Sequence, residues 1–132
     1  MAPLVIDKLR SLLTPDASTN TTLIRSALKA AAELQVASHS THDLKNQLLR
    51  LAVDADIVLD LHCDTDAVMH IYALTPQAGI AVELGTALGA RAILLATESG
   101  DCPFDEACSR PWLQLQQQLP QFPIDLACFG AT

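Results

Sequence analysis

Aromatic side chains are scarce in this chain, with one Trp, one Tyr and three Phe making up 4% of its 132 residues. Its 50% hydrophobic content must therefore come chiefly from Ala, Leu, Val and Ile, and these are the expected core. Glycine is also sparse. Only five occur, with no Gly-x-Gly-x-x-Gly and no phosphate loop, which argues against a nucleotide-binding fold. Basic residues number eight against fifteen acidic ones, for a net charge of −7 and a pI near 4.7. Phosphate backbones and anionic bilayers are bound by clustered Lys and Arg, and here these are scattered, so no nucleic-acid and no membrane partner is expected. No apolar run approaches the ~18 residues of a spanning helix. Asp7, Lys8 and Arg10 interrupt the first thirteen residues, where a signal peptide would be uniformly apolar, so a cytoplasmic location is expected. Four cysteines, Cys63, Cys102, Cys108 and Cys128, form no Cys-x-x-Cys pair and read as reduced thiols.

A chain of this length holds one core and not two ordinary domains. Its mean hydropathy of +0.27 is high for a small domain. The excess reads as surface that a missing portion or a second copy would cover.

The most informative stretch runs from Asp56 to Asp64. Ile57 to Leu59 is a branched apolar run, expected as a strand covered on both faces. Counting in twos places Asp60, His62 and Asp64 on one face and Leu59, Leu61 and Cys63 on the other. In open α/β sheets ligands sit beyond the carboxyl ends of strands, which makes this polar end a candidate site. Neutral imidazole is a common zinc ligand, and a nearby carboxylate often orients the ring by accepting its other N–H. His62 is thus a candidate ligand, although a hydrogen-bonded strand-end histidine is the plainer reading. Catalytic zinc takes three protein ligands, and one histidine does not supply them. Cys63 points to the opposite face and is a poor partner for His62.

The run Ala55-Asp56-Ile57-Val58-Leu59-Asp60-Leu61-His62-Cys63-Asp64, followed by Ala67-Val68-Met69-His70-Ile71-Tyr72, resembles the succinylglutamate desuccinylase/aspartoacylase family of the zinc carboxypeptidase superfamily. Leu88 to Ala92, Ala96 to Gly100 and Phe104 to Ala107 agree, and the likeness runs from about Thr22 to the last residue. It implies that His62 matches the third zinc ligand, the one position carried over; beside it, Asp60 is a candidate to orient the ring and Asp64 a candidate for the rim of the site. In a complete member, zinc polarises an amide carbonyl and activates water with a Glu as base, releasing an amino acid from its N-acyl group.

The departures are equally specific. The family's His-x-x-Glu motif is absent, since none of His39, His42 and His70 has Glu three residues on. The Asp-Leu-Asn-Arg segment is missing, and the chain stops about where the catalytic Glu would come. The expectation is one incomplete domain over residues 1–132, part of a zinc-dependent deacylase of small N-acyl amino acids. Zinc belongs to the complete member, is not held stably by this chain, and gives it no activity alone. The alternative is a non-catalytic assembly module that forms a homo-oligomer through exposed sheet edges and apolar helix faces.

Along the chain, a helix is expected over Pro3 to Leu13, with Thr14-Pro15-Asp16 stopping it. Ser18 to Thr21 offer N-cap oxygens for an apolar stripe from Leu23 to Leu34. Ser40 with Asp43 resembles a capping box for the helix Leu44 to Ala52, and His39 and His42 read as its solvated start. Ala67 to Leu74 is a second strand on which His70 and Tyr72 share a face, as substrate-pocket candidates or as half-buried strand residues. Pro76 opens a helix ending at Leu88, with Gly89 as its left-handed cap. Ala92 to Ala96 is expected as a strand buried on both faces, and Glu98 at its end as a pocket candidate. Asp105 and Glu106 sit in the first turn of a helix that favours acids there. Pro111 should break that helix, with a second running from Trp112 to Leu119. Ile124 to Phe129 forms a last strand. The predicted class is α/β, with a mixed, partly parallel sheet and flanking helices that resembles part of a zinc carboxypeptidase-like fold. An antiparallel pair is expected between the first two strands.

Overall fold

An aspartate and a histidine decide where the second and third helices begin. In the computed structural model, which describes residues 3–61, 68–98, 103–124 and 129–131, α1 (Pro3–Arg10) leads to α2 (Ala17–Glu33) and α3 (Ser40–Ala52). Asp16 caps α2 by accepting from the Thr19 N–H at 2.7 Å, two residues before the expected cap. His39, not Ser40, caps α3, its Nδ1 accepting from the His42 N–H at 3.2 Å. The extended backbone of both residues aims a side-chain acceptor at the orphan donors of the first turn.

The strands are β1 (Ile57–Leu59), β2 (His70–Leu74), β3 (Ala92–Ala96) and β4 (Phe129–Ala131). A short 3-10 turn, Thr75–Gln77, and α4 (Ala78–Leu88) separate β2 from β3; α5 (Phe104–Gln118) follows β3. The sheet order is β1-β4-β2-β3. β1 pairs parallel with β4, β2 parallel with β3, and β2 antiparallel with β4. A mixed α/β sheet is thus present, but its antiparallel contact is β2–β4. β4 lies between β1 and β2, so the first two strands never pair.

Register shows which helix covers which face. Leu59, Ala131 and Ala73 form one row across β1, β4 and β2. Leu59 therefore shares the Ala73 face, and Val58 belongs to the other. α4 covers the Ala73 face, where Ile71, Ala73 and Ala81 are buried together with Ile93 beside them. Gly85 lets it lie close, since a Cβ there would come within 2.9 Å of Ile93 Cδ1. Gly89 closes α4 at φ 71°, the left-handed cap its sequence suggests. Val58 packs on the opposite side against the larger core, in which Ile6, Leu9, Leu13 and Ile24 meet Trp112, Leu115, Leu119 and Ile124.

Three expectations about burial and continuity are corrected. β1 is not covered on both faces. Ile57 is 57% and Leu59 42% exposed, because β1 is an outer strand and α4 lies over β2 and β3. β3 is likewise an edge, with Leu94 41% and Leu95 42% exposed. α5 is unbroken through Pro111. The proline removes one helical N–H from beneath the Ala107 carbonyl, and burial of Cys108, Trp112, Leu115 and Leu119 along one stripe offsets that loss. Of the expected last strand, Ile124 is a core residue and 125–128 lie outside the described residues. Ala67, the expected start of the second strand, also lies outside them; β2 is described from His70.

Candidate functional site

The sheet carries the chain from Val58, partly buried against the core that contains α5, to Asp60 one residue past the end of β1. His62, Asp64 and Cys63 follow and lie outside the described residues. β1 and β2 run in opposite directions through β4, so Asp60 is on the same side of the Leu59–Ala131–Ala73 row as Tyr72 and His70. Alternation from Val58 and from Ala73 puts all three on the α5 face.

His70 and Tyr72 share that face, their rings edge to face with centroids 4.9 Å apart. His70 Nδ1 lies 2.7 Å from the Val68 carbonyl. A carbonyl can only accept, so Nδ1 carries the proton, and in the neutral ring the lone pair sits on Nε2. That is the tautomer a ligand or a base needs.

Glu98 is separated from this group. Leu74 is level with Ala96, so the carboxyl end of β3 lies at the opposite end of the sheet from that of β1. The rule that ligands gather at strand carboxyl ends does not bring Asp60 and Glu98 together, because the sheet is mixed. Instead α5 connects the two regions. Arg110 contacts Glu98 at 3.3 Å and Glu106 at 3.4 Å.

α5 supplies the carboxylates that the sequence reading set aside. Asp105 is 5% and Glu106 2% exposed. Burial pushes the Asp105 carboxyl above its ordinary range, since the charged form loses water. Backbone N–H groups of Glu106 and Asp105 itself pull it down, and the charges of Asp60 and Glu106 push it up again. Asp105 Oδ1 is buried with no hydrogen-bond partner among the described residues. First-turn acids are ordinarily solvated, so the dipole account hid this burial. A signal was present, however. Asp105, Cys108, Trp112, Leu115 and Leu119 fall at i, i+3, i+7, i+10 and i+14, which places Asp105 on the apolar stripe.

The arrangement is therefore a strand-end aspartate whose charge reaches the buried Asp105 carboxyl, with the buried Glu106 next to Asp105 on α5 and Arg110 as its counter-charge. It is not a zinc ligand set, and among the described residues no group of three His, Cys, Asp or Glu side chains is disposed to hold a metal ion. His39 and His42 are accounted for by the start of α3, as expected, with the Ser38 N–H 3.4 Å from His42 Nδ1. Cys108 is a buried thiol. An apolar hollow of about 200 Å³ lies between α2, α3 and α5, lined by Leu28, Ala31, Leu49, Ala52, Cys108 and Trp112 among others, and among the described residues none of the candidates lines it. Among the described residues no helix is long and apolar enough to cross a membrane. The chain matches no protein-family model and no curated protein.

Proposed function

We propose that this chain belongs to the lineage of zinc-dependent deacylases that act on small N-acyl amino acids, with His62 in the position of a single zinc ligand. The support is the run Asp56 to Asp64: an apolar strand whose polar continuation starts at Asp60, beside the buried carboxyls of α5. Asp60 orients the His62 ring in this reading, and Asp64 lies at the rim. Lacking a His-x-x-Glu motif, the chain offers zinc one imidazole where a catalytic site needs three ligands, so it holds the metal weakly and hydrolyses no amide alone.

Zinc titration followed by histidine NMR, with His62→Ala alongside, tests this. Zinc should shift the His62 ring resonances at weak affinity, and the shift should vanish in the variant. Equal zinc responses in the two proteins would remove the ground for the lineage. Zinc-dependent release of an amino acid from N-succinyl or N-acetyl substrates by the purified chain would overturn the predicted inactivity.

A further inference from the structure

Three helices meet around the hollow between α2, α3 and α5 without filling it. Alanines stand on every wall, Ala31 on α2, Ala52 on α3 and Ala107 on α5, and the space left between them is about 200 Å³. Leu28 and Leu49 pack against the main core but stay only partly buried, because part of their surface looks into this space. Water is a poor occupant. A confined water needs about two to four polar partners, and among the described residues the walls carry one polar side chain, Gln35, besides the Cys108 thiol. An apolar cavity of roughly 150 Å³ stays dry and takes up benzene. This one has room for a phenyl ring and a short tether.

One end of the hollow is charged. Gln35 is exposed where the space opens, and its backbone N–H donates to the Ala32 carbonyl at 3.4 Å. The Arg50 guanidinium donates to that same carbonyl, from Nη2 at 3.1 Å and from Nε at 3.4 Å. Ala32 is itself a wall residue, so Arg50 sits at the rim. Capping the end of α2 occupies one edge of the guanidinium and leaves Nη1 with no protein partner among the described residues. Arg25 and Lys29, the basic residues of α2, are held by Asp56 and Asp54, whereas Arg50 has no carboxylate among the described residues. An unpaired guanidinium beside an apolar hollow complements a molecule with an apolar body and one carboxylate.

We propose that this hollow binds a small carboxylate with a phenyl-sized apolar body, the ring lying against Trp112 and the carboxylate on Arg50. The space holds one ring rather than a segment of chain, so the ligand is a free small molecule. The inference is independent of the zinc reading, since the hollow shares no residue with the group around Asp60. Titration of the full chain with 3-phenylpropionate, followed by the fluorescence of Trp112, the single tryptophan, tests it. A saturable change is expected, with a Kd of about 1 mM for a ligand of this size. Arg50→Gln should weaken that binding about fivefold and leave the affinity for 3-phenylpropanol, the uncharged counterpart, as it is in the wild type. Ala31→Leu fills the hollow and should abolish binding of both. Arg50 is exposed, so its variant decides the matter even where Ala31→Leu does not fold. No saturation at ten times the expected Kd overturns the proposal. So does equal affinity for the carboxylate in Arg50→Gln and wild type, or undiminished binding by a folded Ala31→Leu chain.

Discussion

The Asn20 side chain donates to the Pro123 carbonyl at 2.9 Å, tying the start of α2 to the segment after α5 across 103 residues of chain. The same fully buried amide donates to the Thr14 carbonyl at 2.8 Å and accepts from the Thr14 N–H at 2.8 Å. Asn20→Ala strips three backbone groups of their partner at once. An unsatisfied buried group costs roughly 1–3 kcal/mol, so a loss of about 2–3 kcal/mol is expected. Urea denaturation followed by the fluorescence of Trp112, the single tryptophan, measures it. A change too small to resolve would mean that water replaces the amide.

Asp105 should make the fold less stable as pH rises. Its carboxyl is raised in the folded chain, chiefly by burial, so between the ordinary and the raised value the folded state binds more protons than the unfolded. Stability falls across that window, and the loss is complete above the raised value. Asp105→Asn removes the titrating group. The variant should melt higher than wild type at about pH 7 and like wild type at about pH 3, below the ordinary carboxylate range. A variant less stable at neutral pH would show that the ionised carboxylate has a stabilising partner.

Pro111 leaves the Ala107 carbonyl without its helical donor in the middle of α5. Alanine restores that N–H and removes the ring, whereas proline inside a helix costs about 3 kcal/mol relative to alanine. Part of this is already absorbed by the settled α5 backbone, so Pro111→Ala is expected to add about 1–2 kcal/mol, read as a higher Tm. No gain would place the ring's packing beside the α2–α3 hollow above the lost hydrogen bond.

Gly85 separates two effects of a side chain. Alanine gains about 1 kcal/mol of helix propensity, and its Cβ meets the movable end of Ile93 at 2.9 Å, so Gly85→Ala should be nearly neutral. Leucine must push α4 off the sheet. Gly85→Leu should cost about 2 kcal/mol or more through overpacking, measured by denaturant midpoint. Equal stability of the two variants would show that α4 is loosely seated.

Local chemistry made much of this chain readable. The apolar spacing of α2 and α3, the Gly89 cap, the strands around Val58, Ile71 and Leu94, and the shared face of His70 and Tyr72 each depend on neighbours within a few residues. Periodicity reports such short-range facts directly. The continuity of α5 was misread for the same reason. The residue before a proline disfavours helix locally, and only burial of Trp112, Leu115 and Leu119 against α1 and α2 residues reverses that preference.

The sequence by itself determined a core of aliphatic rather than aromatic residues, an α/β alternation and a polar continuation of β1 at Asp60, because these need only composition and spacing. Tertiary structure alone decided that β4 parts β1 from β2, that Glu98 lies away from Asp60, and that Asp105 is buried near it. Strand order, and which elements meet across the core, are set by contacts between residues far apart in the chain. The stripe that carries Asp105 is periodic in the sequence, but what it packs against leaves no periodic trace there.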